Sequence, residues 1–109
     1  MAETFKNFRG ALTTGGVTVY TCPALTTALV LHLQVANVDG VNSADATVRW
    51  TDSSNGDVAT RLVSTVAIPA DTSLPVLSGK LPLEAGDTIV GVASADGDLE
   101  LSGGVLEIS

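Results

Sequence analysis

Few side chains in these 109 residues are of types that do covalent or acid–base chemistry: one histidine, His32, one cysteine, Cys22, and twelve Asp and Glu. A nucleophilic triad or dyad needs a hydroxyl or thiol beside a base that a third group orients, and one imidazole with one thiol leaves almost no means of building it. Zinc asks for three or four clustered ligands, and His32 has no Cys or His partner at ligand spacing. The sequence therefore predicts no catalytic residues, no cofactor ligands and no metal site. His32, with Gln34 beside it, is read as an interface residue, and Cys22 as a buried structural thiol.

The carboxylates are the remaining chemistry. Asp52, Asp57, Asp96 and Asp98 fall in Gly-, Ser- and Asn-rich stretches that read as hairpin tips, where Asp is favoured because its side chain bonds to the turn backbone. Asp52-x-x-Asn55-Gly56-Asp57 lacks the spacing of an EF-hand loop and the bidentate glutamate that closes one, so turn chemistry is preferred over weak calcium binding. A glycosidase built on paired carboxylates would want aromatic platforms for sugar, and the chain has four aromatic residues in all.

The net charge of −7 argues against nucleic acid, whose phosphates call for clustered Lys and Arg. Lys6 and Arg9 form the only basic clustering, either a solvated pair or an arm that docks on an acidic neighbour. No apolar run is long enough for a helix to cross a bilayer, and no secretory signal pattern precedes Gly10, so synthesis in a cytoplasm and no membrane partner are expected. A single cysteine gives no intrachain disulfide; stability must come from packing or association.

The elements that must position these residues are strands. Hydrophobic residues make up 45% of the chain and charged ones 16%, enough apolar content to offset the entropy of ordering one domain. Val, Thr, Gly, Asp and Ser predominate, the mixture of short strands and tight turns. Residues 1–5 read as an arm and 6–109 as the domain, with Phe5 and Phe8 either covering the end of the core or anchoring on a neighbour. Strands are expected at 6–12, 17–22, 27–36, 44–51, 60–68, 88–94 and 99–108. The segments 74–77 and 79–83 carry prolines that place them at an edge.

Within 27–36, Leu29, Leu31, Leu33 and Val35 alternate with Ala28, Val30, His32, Gln34 and Ala36; the leucine face is expected in the core and the other at solvent or an interface. Trp50 falls on the apolar side of 44–51. In the last strand Leu99 and Leu101 are out of phase with Leu106 and Ile108, which predicts a β-bulge at Gly103-Gly104. About eight antiparallel strands spaced some ten residues apart indicate an all-β fold, a single β-sandwich of jelly-roll or immunoglobulin-like topology.

The segments Val19-Tyr20-Thr21-Cys22-Pro23-Ala24, Val35-Ala36-Asn37, Ile68-Pro69-Ala70, Gly79-Lys80-Leu81, Leu83-Glu84-Ala85-Gly86-Asp87 and Leu106-Glu107-Ile108, taken in this order, resemble small β-sandwich structural proteins of tailed bacteriophage virions. The Leu-x-Ala-Gly-Asp turn is also similar to turns of trimeric jelly-roll domains. The resemblance implies a virion protein made in the host cytoplasm: a capsid decoration (cement) protein, or a neck or tail component. It implies self-association, with a homotrimer favoured, and the major capsid protein or tail and neck proteins as partners. Phe5, Phe8, Arg9, His32 and Gln34 are the interface candidates. The competing expectation is a carbohydrate-binding or adhesin-like module, for which Trp50 or Tyr20 would have to be an exposed platform.

Overall fold

The computed structural model describes residues 2–109. Nine strands run in chain order: β1 (Glu3–Ala11), β2 (Val17–Thr21), β3 (Thr27–Asn37), β4 (Ala44–Asp52), β5 (Val58–Ile68), β6 (Ser73–Pro75), β7 (Leu81–Leu83), β8 (Thr88–Ala93) and β9 (Leu99–Ile108). All pairing is antiparallel. The larger sheet has the order β1-β9-β3-β6, with β7 also on β3; the smaller is β2-β8-β4-β5.

Every connection except β4–β5 and β6–β7 passes from one sheet to the other, and the first strand lies beside the last. This is the jelly-roll order, in which one edge position of the larger sheet is shared by two short strands. Of the two topologies the sequence left open, the molecule has the jelly roll. Pro75 and Pro82 stand in β6 and β7 at that edge, where a missing N–H costs no ladder bond.

The core lies between the sheets. Leu33, Val35, Leu99, Leu101 and Val105 of the larger sheet join Ala46, Val48, Ile89 and Ala93 of the smaller, all at most 3% exposed. Trp50 is partly buried against this cluster, on the side the alternation assigned to it.

Three expectations are corrected. Residues 3–5 of the supposed arm are the start of β1, paired from Glu3↔Ile108, and Ala2 N–H donates to Ser109 O at 2.9 Å; Met1 lies outside the described residues. The bulge is not in β9 at Gly103-Gly104. Val30 pairs with Val105 and His32 with Gly104, so the extra residue is Leu31, across the ladder on β3.

This slip also breaks the leucine face. Ala28 and Val30 point inward before the bulge, and Leu33, Val35 and Asn37 after it. Leu29 is only half-buried and Leu31 is exposed. β9 meanwhile alternates without interruption, placing Glu107 inward and Leu106 and Ile108 outward. Gly103 is required where it stands for a steric reason: a Cβ there would lie 2.5 Å from His32 O and 2.7 Å from Phe8 Cζ.

Candidate functional site

The register of the larger sheet sets out its outer face as rungs across β1, β9 and β3. Glu3, Ile108 and Thr27 form the first; Phe5, Leu106 and Leu29 the second, prolonged to Pro82 of β7; Asn7, Gly104 and His32 the third. Arg9, Ser102 and Gln34 follow, prolonged to Pro75 of β6, and then Ala11, Glu100 and Ala36. The second rung is an apolar stripe across three strands, with Ile108 above it and the bulged Leu31 below. Phe5 is 74% exposed and Leu31 38%. A shallow cleft opens beside them, lined by Phe5, Lys6, Asn7, Leu31, Gly104 and Val105.

Four of the five candidates share this face: Phe5 and Arg9 from β1, His32 and Gln34 from β3. Arg9 and Gln34 flank Ser102 on one rung and line a second, polar cleft together with Glu100. Phe8 does not belong with them. It points between the sheets and packs on Tyr20 with ring centroids 5.2 Å apart. Leu29, Leu31, Leu106 and Ile108 were missed because period-two reading placed them in the core; the one signal was the phase conflict between Leu101 and Leu106, read onto the wrong strand.

The smaller sheet presents a different outer surface. Asp45, Thr47, Arg49 and Thr51 of β4 lie outward, and Arg49 stands opposite Arg61 of β5. Thr51 and Thr88 hydroxyls hydrogen-bond across strands at 2.5 Å. Val90 and Val92 of β8 stand beside Arg49 and Thr47 on this surface, so both outer faces mix polar and apolar groups, and the larger sheet's is set apart by its one apolar rung.

Beneath the apolar stripe one polar cluster ties the sheets. Tyr20 of β2 donates to Glu107 Oε2 at 2.6 Å, and Lys6 of β1 meets Glu107 Oε1 at 3.0 Å. The bond from Tyr20 holds the Glu107 carboxyl below the usual carboxylate range, with Lys6 acting the same way against the opposing effect of burial. Burial, and then the bond to Glu107, push the Tyr20 phenol upward, so it remains a donor. Cys22 is buried, donates to Thr26 O at 3.3 Å, and is raised above the ordinary thiol range chiefly by burial. A thiol so held is a poor nucleophile.

The acidic residues do turn work. Asp52 Oδ1 accepts from Ser54 N at 3.2 Å and caps the 3-10 turn Ser53–Asn55. Asp87 is 1% exposed; its Oδ1 accepts from Ser53 N at 3.0 Å and its Oδ2 from Glu84 N at 2.8 Å. Carboxylate oxygens of Asp52, Glu84 and Asp87 come within 4.8 Å of one another, but both oxygens of Asp87 are already committed to backbone N–H groups. The cluster closes two loops upon each other.

A jelly-roll sandwich with an apolar stripe on one outer face is thus the class of molecule the fold and surface define. No protein-family model matches the sequence, and no curated protein matches it. Among solved structures, a protein in the capsid of Helicobacter pylori bacteriophage KHP30 is similar with a TM-score of 0.56 and 9% identity, over 100% of this chain and 94% of that one. A chain of the cyanophage Pam1 capsid asymmetric unit gives a TM-score of 0.55 with 18% identity, over 95% and 85%. A protein of Bacillus endospore appendages, a family of disulfide-linked pili, gives 0.58 with 10% identity, over 99% and 87%. At such identities what is shared is the fold.

Proposed function

We propose that this chain is a non-enzymatic structural protein of a phage virion: a capsid decoration protein that self-associates, as a homotrimer, through the outer face of its larger sheet and attaches to the major capsid protein. The observation that carries this reading is the stripe Phe5–Leu106–Leu29 on the outside of a chain of net charge −7. Exposed apolar area of this kind marks a surface made to be covered. Its charged neighbours Glu3, Arg9 and Glu100 are of mixed sign, so Arg9 offsets part of the repulsion between like copies there.

The fold shared with proteins of the KHP30 and Pam1 capsids supports the virion setting. The same surface would serve a neck or tail component. The carbohydrate-binding reading is weaker, because Tyr20 and Trp50 pack against the core. A disulfide-linked polymer is disfavoured by the burial of Cys22.

Light scattering on the purified chain, together with co-sedimentation with empty shells of the major capsid protein, tests the proposal. A trimer that pellets with shells is the expected result. A monomer at high micromolar concentration that stays in the supernatant would overturn it.

A further inference from the structure

At 11 residues, β5 is the longest strand at a sheet edge: it pairs with β4 and has no strand on its other side. Val58, Thr60, Val63, Val66 and Ile68 are β-branched, and Arg61 is its one charged residue. An open edge of that composition is a template for pairing with another chain. The other edges are blunted. β6 and β7 are three residues each and contain Pro75 and Pro82, β2 is five residues with a register shift at Val19, and β1 carries Glu3, Lys6 and Arg9.

β5 is interrupted twice. Ala46↔Val66 is followed by Val48↔Val63, so Ser64 and Thr65 together oppose Thr47; Arg49↔Arg61 comes next, which leaves Leu62 as a second extra residue. Each bulge bends the strand and increases its twist. The first strains the backbone: Thr65 has φ 51° and, among the described residues, is the only non-glycine of positive φ inside a strand. A β-branched residue is disfavoured there. Thr65 N donates to Thr47 Oγ1 at 2.9 Å, which turns an N–H of the edge strand back into its own sheet. The second bulge sets Arg61 opposite Arg49, where an unbroken ladder would have set Leu62. Like charges directly opposite cost stability. The chain holds twelve carboxylates, yet the only ion pair among the described residues is Lys6–Glu107, so none relieves the two arginines.

A left-handed threonine, two breaks in the ladder and a like-charged pair each cost the monomer, and all of them fall on the strand whose edge is open. We infer that the double bulge and Arg61 block edge-to-edge pairing of β5 with the β5 of another copy. The bends keep two such edges from lying along one another, and joining them would bring two Arg49–Arg61 pairs into one continuous sheet. Contact between copies is thereby left to the faces of the sandwich. The block acts on the single chain and does not depend on the self-association proposed above.

The test uses the full chain. One variant deletes Leu62 and Thr65 together, which keeps the partners Ala46↔Val66, Val48↔Val63 and Arg49↔Arg61 and makes β5 regular; a second is Arg61→Thr. Light scattering and a cross-β dye over a concentration series should show elongated particles, larger than any oligomer of the parent, at a concentration roughly tenfold below the parent's for the deletion and roughly threefold below for Arg61→Thr. Arg61→Thr should do so while melting no lower than the parent, since a repulsion is removed. Thr65→Gly keeps the bulge and relieves its strain, so it should melt roughly 4 °C higher and stay as dispersed as the parent. Leu33→Ala, in the core and away from β5, reports aggregation caused by lost stability alone. Folded deletion and Arg61→Thr chains as dispersed as the parent overturn the inference, and so does Leu33→Ala aggregating as readily as the deletion. Should the deletion not fold, Arg61→Thr decides: elongated particles from a chain that melts no lower support the block, and their absence overturns it.

Discussion

Tyr20 and Glu107, 87 residues apart in sequence, meet at 2.6 Å between the sheets, and Lys6 closes the same carboxylate from β1. The inward position of Glu107, 8% exposed, follows from the unbroken alternation of β9. Its two bonds make that position tolerable, since a buried carboxylate without partners would be strongly disfavoured. Tyr20→Phe removes the phenolic donor and leaves Glu107 with Lys6 alone. The expected loss is about 1.5 kcal/mol in urea unfolding, the worth of a hydrogen bond to a charged acceptor.

The same contact sets an acid limit. The folded-state pKa of Glu107 is depressed, so its contribution is present above the unfolded carboxyl value and is lost as pH falls through the folded one. Melting temperature should therefore decline below about pH 4, and Glu107→Gln should flatten that part of the decline. A Glu107→Gln profile parallel to the parent's across this window would contradict the assignment.

The bulge at Leu31 predicts a contrast between two leucines two residues apart. Leu33 is 1% exposed and Leu31 38%. Leu33→Ala should cost about 3 kcal/mol through the cavity it leaves, and Leu31→Ala less than about 1 kcal/mol in the monomer. Equal losses would mean that the leucine face is continuous after all.

Adjacent glycines should also differ. An added Cβ on Gly103 collides with His32 O, which belongs to backbone and cannot swing aside, whereas on Gly104 the nearest atom, Lys6 O, is 3.6 Å away. Gly103→Ala is expected to lower stability by about 2 kcal/mol, and Gly104→Ala to stay within about 0.5 kcal/mol of the parent in chemical denaturation of the monomer.

Phe5 and Phe8 separate association from folding. Phe5→Asp should leave the melting temperature of the monomer nearly unchanged and shift the light-scattering mass toward the single chain. Phe8→Ala removes a ring packed on Tyr20 and should cost about 3 kcal/mol. A Phe5→Asp chain with undiminished self-association would remove the larger sheet's outer face from the proposed interface.

Much of this architecture could be read from residue order. Alternation in 44–51, the prolines at 75 and 82 and the glycine and aspartate corners gave the strand count within one, the edge strands and the sandwich. Each is a local property, written in backbone preference and side-chain period. The choice of jelly roll over immunoglobulin-like order could not be read, because it depends on which strands pair across the whole length of the chain, as β1 does with β9. The position of the bulge was equally hidden: a phase conflict in one strand can be relieved by an extra residue in its partner, and only the ladder between β3 and β9 places it on Leu31. That one residue decides which leucines are core and which stand outside, and so it is tertiary structure that gathers Phe5, Leu29, Leu31 and Leu106 into one surface. The scarcity of imidazole and thiol groups, by contrast, is a matter of composition and is read from the sequence alone, which holds one His and one Cys.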